Sequence, residues 1–209
     1  MSGAKVVREK IVWPFEGKER KVLLHACCAV CTGAIVEAMC DSGINPTLCF
    51  YNPNIYPSGE YERRKRGVIS FARKKGVAVI DDDYAPEAWF RHVQGHEDER
   101  EGGERCRKCF ELRLRAAARC ARENGFQVFT STLGISRYKN FDVITAIGKE
   151  IACCSGGLVY WDHNWRKKGG SERMHAIAKE ENFYAQDYCG CIFSFKAKHP
   201  CCQAKDQTP

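Results

Sequence analysis

The stretch VLLHACCAVCTGAIVEAMCDSGINPTLCFYNPNIYP, residues 22–57, decides the fold. Val22–His25 is a short apolar run of strand character that opens directly into cysteines. Thr32–Asp41 has helical composition and stops at Gly43, and Thr47–Tyr51 returns as a buried strand closed by the turn-rich NPNIYPSG. Strand, loop, helix, glycine and strand in so short a span is the βαβ unit of a parallel sheet. The alternation continues outward. Ser58 or Glu60 opens a basic helix that runs to Lys75 and ends at Gly76, Val77–Asp81 reads as a third strand, and Pro86–Val93 as a short helix. Cys109–Asn124 is helical; strand Gln127–Thr132, helix Asn140–Ala152, strand Leu158–Asp162 and a last helix from Ser171 to Phe183 follow. The expected fold is α/β, a doubly wound, mostly parallel sheet with helices on both faces. One domain spans residues 22–195, with an N-terminal extension over 1–21 and a loosely ordered tail over 196–209.

Composition sharpens the question. The chain has 209 residues, 44% of them hydrophobic, so it can build an ordinary core, yet it carries 14 cysteines. Small secreted scaffolds use dense cysteine because they lack a core, and this chain does not lack one. The first twenty residues mix charge throughout without an apolar leader segment, and no run is long enough to span a membrane. A cytoplasmic location follows as the expectation, where many cysteines mean metal or redox chemistry. The net charge of +7 permits a nucleic-acid partner without requiring one. Its distribution says more: Arg63, Arg64, Lys65, Arg66, Arg73, Lys74 and Lys75 crowd one segment, and Arg166, Lys167 and Lys168 another. Such clusters are either solvated helix faces or stripes that track phosphates.

In doubly wound sheets, ligands sit beyond the carboxyl ends of the strands. Cys27, Cys28 and Cys31 follow the first strand, the NPN turn the second, Ser131–Lys139 the fourth and Asp162–Lys168 the fifth. The chemically interesting residues therefore converge on one edge. Half of the cysteines fall in three groups: Cys27-Cys28-Ala29-Val30-Cys31, Cys106-Arg107-Lys108-Cys109 and Cys189-Gly190-Cys191. Cys40, Cys49 and Cys120 lie in apolar patterns and read as small buried hydrophobes. Cys153-Cys154 and Cys201-Cys202 are left outside the site. Two Cys-x-x-Cys-like groups fit a zinc site or an iron–sulfur cluster. Adjacent Cys27-Cys28 is unusual for structural zinc, which favours iron–sulfur. The tight Cys-x-Cys suits a redox dithiol or a metal clamp.

The runs LLHACCAVC (Leu23–Cys31), FYNPNIYP (Phe50–Pro57), CRKCFELRL (Cys106–Leu114), FTSTLGISRYKNFD (Phe129–Asp142) and YCGCIFS (Tyr188–Ser194) resemble the epoxyqueuosine reductase family QueH. Val30 stands where that family often has proline. The resemblance implies reductive removal of the epoxide oxygen of epoxyqueuosine, at the wobble base of a tRNA, to give queuosine. It also implies a 4Fe-4S cluster, here on Cys27, Cys28, Cys106 and Cys109, with a second, mononuclear iron beside it for which Cys31 is the suggested ligand. Cys189 and Cys191 become a redox pair or partial ligands of that iron. An electron donor is required, which the residues do not identify.

Epoxide deoxygenation consumes two electrons and two protons. His25, Tyr51, Asp142 and Tyr188 are the proton donors nearest the motifs, each with an alternative as a mere hydrogen-bonding residue. Tyr56, Tyr61, Tyr138 and Trp165 are candidates to stack on unpaired bases, and Arg63, Arg64, Lys65, Arg137 and Lys139 to contact phosphates. Three rivals stand beside this reading. The Rossmann-like, nucleotide-α-hydrolase or PP-loop-like strand order admits an ATP-pyrophosphatase. However, Ser155-Gly156-Gly157 follows a helix rather than the first strand, and Val159-Tyr160 occupy the places of Asp and Ser. A zinc-stabilised RNA-binding module without catalysis and a general thiol–disulfide oxidoreductase are the others.

Overall fold

A computed structural model describes residues 10–82 and 84–200. Five strands, β1 (Lys21–His25), β2 (Asn45–Phe50), β3 (Val79–Asp81), β4 (Val128–Ser131) and β5 (Val159–Tyr160), form one sheet. All pair in parallel, in the order β3-β2-β1-β4-β5. The central strand is β1, and Val22, Leu23 and Leu24 are fully buried, as a strand covered on both faces requires. Seven α-helices, α1 (Ala29–Asp41), α2 (Ser58–Lys75), α3 (Pro86–Val93), α4 (Glu104–Glu123), α5 (Phe141–Cys153), α6 (Gly170–Glu180) and α7 (Ile192–Lys198), lie among the described residues. One layer packs α1 against α2 and α6; the other packs α4 against α3 and α5. The expected doubly wound α/β fold is the observed one.

The winding fixes where a ligand can sit. From β1 the chain steps outward through β2 to β3, then crosses back to lay β4 on the other side of β1. The crossovers on either side of β1 diverge there, which opens a crevice at the carboxyl ends of β1 and β4. Their register pairs Leu23 with Phe129, Leu24 with Thr130 and His25 with Ser131. The cysteine loop after β1 and a 3-10 turn over Thr132–Ile135 after β4 are therefore side by side.

Local chemistry sets the helix ends. Gly76 adopts a left-handed conformation (φ 66°) and its N–H reaches the carbonyls of Ala72 and Arg73, which terminates α2. Asn140 caps α5, its Oδ1 accepting from the amides of Asp142 and Val143 at 3.0 and 3.2 Å. Gly148 lets α5 approach the sheet, because a Cβ there would lie 2.6 Å from the Tyr160 ring. Arg173 of α6 forks onto Glu37 of α1 at 2.6 and 2.7 Å.

The structure departs from the sequence reading at several points. Helix α4 begins at Glu104 rather than Cys109: nothing between Gly103 and Cys109 breaks a helix, and Glu104 suits the positive end of the helix dipole. Helix α7 runs to Lys198, through the expected start of the tail, with the Cys191 Sγ accepting from the Ser194 amide at 3.4 Å. The N-terminal extension is not separate in its described part. Trp13 meets Phe15 and Trp161 edge-on at 5.0 and 5.4 Å, and the Ile11 amide donates to Ser42 Oγ at 2.8 Å. Cys40 is exposed rather than buried, since it faces outward near the end of α1, whereas Cys49 and Cys120 are in the core. Cys201 and Cys202 lie outside the described residues.

Candidate metal centre

Cys27 and Cys28 end the loop after β1, and Cys31 follows in the first turn of α1. Their sulfurs lie within 4.8 Å of one another and all three residues are buried. The loop is anchored from β4: the Cys27 amide donates to Thr132 Oγ1 at 3.0 Å, and that hydroxyl lies 3.2 Å from Cys27 Sγ. Gln186 Nε2 donates to Cys28 Sγ at 3.1 Å. Hydrogen bonds from the Cys28 and Cys31 thiols, with the charges of Lys139 and Arg113, hold the Cys27 pKa well below the usual thiol range. Donation to Cys27 pushes Cys28 up to about 11 and Cys31 well above the usual range. Three buried thiols whose sulfurs lie this close, with hydrogen bonds among them, are a donor set that could hold a metal ion.

A second group of cysteines gathers at the start of α4. Cys106 and Cys109 occupy the first turns of α4, and Cys189 lies within electrostatic reach of both. Burial pushes the Cys109 thiol up, and pushes Cys191 up to about 12. The Cys-Gly-Cys loop is clamped by Arg64, which is 4% exposed. Its Nη1 donates to the Cys189 carbonyl at 3.0 Å and its Nη2 to the Tyr188 carbonyl at 3.3 Å, while Nε pairs with Glu60 at 2.7 Å. Gly190 has φ 130°, and a Cβ there would lie 2.9 Å from Arg64 Nη1.

Several expected roles change. Arg64 cannot meet RNA phosphates, because its guanidinium is consumed inside the molecule. It falls on the buried stripe of α2 with Tyr61, Val68, Phe71 and Ala72, a helical spacing that betrays it in the sequence. Lys65 pairs with Asp81. Lys139 is half-buried and within electrostatic reach of Cys189, Cys27 and Cys31; desolvation lowers its pKa, but the nearby cysteines outweigh that and raise it. Arg63 and Arg137 remain at the surface, each over an aromatic ring: Tyr184 at 4.7 Å and Tyr138 at 4.9 Å. Tyr138 is 74% exposed, but Tyr61 and Trp165 are buried and cannot stack on a base. Tyr56 is half-buried, edge-on to Phe195.

The proton-donor candidates fare similarly. Both ring nitrogens of His25 are engaged: Nε2 donates to the Tyr51 carbonyl at 3.1 Å, so Nδ1 accepts from Ser131 Oγ at 2.9 Å. Desolvation first, then the charge of Arg113, lowers its pKa to about 3, so it stays neutral. Burial raises the Tyr51 pKa. The Tyr188 hydroxyl donates to the Tyr56 carbonyl. Asp142 stands exposed on the first turn of α5, where its position complements the helix dipole.

The sequence reading assigned no role to Asn52 or Arg113. Asn52 Nδ2 donates to the Ala26 carbonyl at 2.9 Å, and its Oδ1 accepts from Arg113 Nη2 at 2.5 Å. Arg113 falls four residues after Cys109, hence on the same helix face, and that spacing is the signal that finds it. A cleft of about 190 Å³, walled by Arg63, Phe71, Lys74, Glu181 and Tyr184, reaches Cys28 from the surface.

The class so far defined is a doubly wound α/β protein whose switch point carries a buried thiol trio that could hold a metal ion. Residues 22–197 match the family model described as epoxyqueuosine reductase QueH. A protein named epoxyqueuosine reductase QueH from Histophilus somni is 50% identical over 195 residues, covering 93% of this chain and 79% of the relative. Proteins of the same name from Haemophilus influenzae and Thermotoga maritima are 49% and 35% identical, covering 92% and 83% of this chain and 78% and 89% of theirs. The chain belongs to the epoxyqueuosine reductase QueH family, and is an oxidoreductase of queuosine biosynthesis. That excludes the non-catalytic RNA-binding alternative. No helix among the described residues is long and apolar enough to cross a membrane.

Proposed function

We propose that the chain reduces epoxyqueuosine in tRNA: the epoxide gains two electrons and two protons, both C–O bonds break, and an alkene and water leave. The observation that carries this reading is the buried trio Cys27, Cys28 and Cys31 at the switch point, in a chain matching the family over residues 22–197. The donor set, all thiols with the buried Arg113 and the half-buried Lys139 nearby, fits an anionic iron–sulfur group. Cys27, Cys28, Cys106 and Cys109 would hold a 4Fe-4S cluster, and Cys31 a second, mononuclear iron. When bound, such a group supplies electrons singly and a Lewis-acidic iron for the oxygen.

The chain's own residues do the rest. Lys139 keeps a positive charge and a proton beside the thiols, where the departing oxygen develops negative charge. Arg64 fixes the Cys189 carbonyl, so Cys189 and Cys191 would be presented in one orientation, either as a redox pair fed by a donor in a reducing cytoplasm or as partial ligands of the second iron. The modified base leaves the anticodon stack, as enzymes acting on bases require, with Arg63 and Arg137 on the phosphates and Tyr138 and Tyr184 offering ring faces.

Incubating anaerobically iron- and sulfide-reconstituted protein with tRNA carrying epoxyqueuosine and dithionite tests this. The expected product nucleoside is one oxygen atom lighter, and a Cys27→Ala, Cys106→Ala double variant makes none. Full activity in that double variant returns the assignment to a general thiol–disulfide oxidoreductase. Arg63→Ala weakens tRNA binding and lowers the salt slope by about 1; an unchanged slope removes α2 from the RNA face.

A further inference from the structure

Arg113 is a buried cation whose charge the protein leaves unanswered. It is 3% exposed, and among the described residues no aspartate or glutamate pairs with it. Of its five N–H donors, one on Nη2 meets Asn52 Oδ1 at 2.5 Å, while the buried Nε finds no acceptor. A guanidinium taken out of water without an anion costs several kcal/mol, by general estimates of about that size. A fold that keeps one there has an anion in view.

The surroundings identify it. Asn52 is 1% exposed and its Nδ2 is spent on the Ala26 carbonyl at 2.9 Å, so the amide is locked with Oδ1 toward Arg113. Through that amide the guanidinium is tied to the residue just before Cys27. On its other side it shares a face of α4 with Cys109, one turn back. It lies within electrostatic reach of both Cys27 and Cys109. The neighbouring His25 is neutral and hydrogen-bonded at both nitrogens, and Lys139 is itself a cation. The groups able to carry negative charge here are the thiols, and whatever they hold.

We propose that Arg113 is a positioning residue: held by Asn52 between Cys27 and Cys109, it donates hydrogen bonds and positive charge to the metal–thiolate group those cysteines bind, and makes that group easier to reduce. The inference rests on the iron–sulfur reading above. Hydrogen bonds to cluster sulfurs and local charge are the means by which a protein sets a cluster's potential.

The experiment compares wild type, Arg113→Gln, Arg113→Lys and Asn52→Asp, each reconstituted anaerobically with iron and sulfide, counted for both, and titrated with redox dyes under paramagnetic resonance. Arg113→Gln removes the charge; Asn52→Asp nearly preserves shape and neutralises the guanidinium in place, so it decides the matter where the glutamine variant does not fold. Both are expected to load and to shift the reduction equilibrium at least tenfold toward the oxidised form, 59 mV for one electron. Arg113→Lys, which keeps the charge, stays within tenfold of wild type. Loaded Arg113→Gln and Asn52→Asp proteins with wild-type potentials overturn the proposal alone. A wild type that takes up no iron and sulfide overturns the iron–sulfur reading and this proposal with it.

Discussion

At the scale of single residues, the site depends on groups made inert so that others can act. His25 is buried, neutral and bonded through both nitrogens, and its folded pKa of about 3 lies below the ordinary value of 6.5. Between those values the unfolded chain binds a proton that the folded chain refuses. The stabilisation is complete above pH 6.5 and is lost as pH falls toward 3, at about 1.4 kcal/mol per pH unit over that window. Chemical denaturation of the metal-free protein at pH 7, 6 and 5 should show this slope, and His25→Asn should flatten it. Gly190 makes a complementary case. With φ 130° and Arg64 Nη1 2.9 Å from where a Cβ would lie, Gly190→Ala forces the Cys189–Cys191 loop off its clamp. The expected cost is about 1–3 kcal/mol, with a loss of turnover larger than that cost explains. A variant with unchanged melting temperature and turnover would contradict the clamp.

Elements were legible in the sequence where one rule governed them. The apolar run of β1, the glycine stops and the alternation of strand with helix all follow from burial and backbone freedom, so the five-strand sheet could be read directly. The inside and outside of α2 were harder, because Arg63 and Arg64 are alike in composition and differ only in which face of the helix they occupy. Lys139 escaped for another reason: a loop residue has no periodicity, and only the fold of 134–139 brings it within electrostatic reach of the cysteines. That loop is held by Arg166, which donates to the Gly134 and Lys139 carbonyls at 2.7 and 2.6 Å. The α5–sheet contact offers a test of element packing. Gly148→Ala would place a methyl 2.6 Å from the Tyr160 ring, against a helix and a strand that have little room to part. Thermal or urea unfolding should register a loss of about 1–3 kcal/mol, as overpacked cores do. Neutral or increased stability would show that β5 yields.

At the scale of the whole molecule, the cysteine groups bring distant parts of the chain to one place: the loop after β1, the start of α4 and the segment before α7. A metal group bound there binds the folded chain and not the unfolded one, so its free energy adds to stability. At a thousandfold excess over the dissociation constant the gain is about 4 kcal/mol, roughly 10 °C in melting temperature for a chain of this size. Chelating iron from reconstituted protein should lower the midpoint by that order, and Cys27→Ala protein should melt alike with and without chelator.

The strand order has one more consequence, for the chain as it is made. Strand β1 sits in the middle of the sheet, but its partner on one side, β4, begins only at Val128. During synthesis the most apolar strand waits with one row of amides and carbonyls unpaired while the segment between them emerges. An open, hydrophobic edge of that kind recruits other strands. The nascent chain is therefore most vulnerable to aggregation in that interval, and arrival of β4 both closes the edge and delivers Thr132 to Cys27.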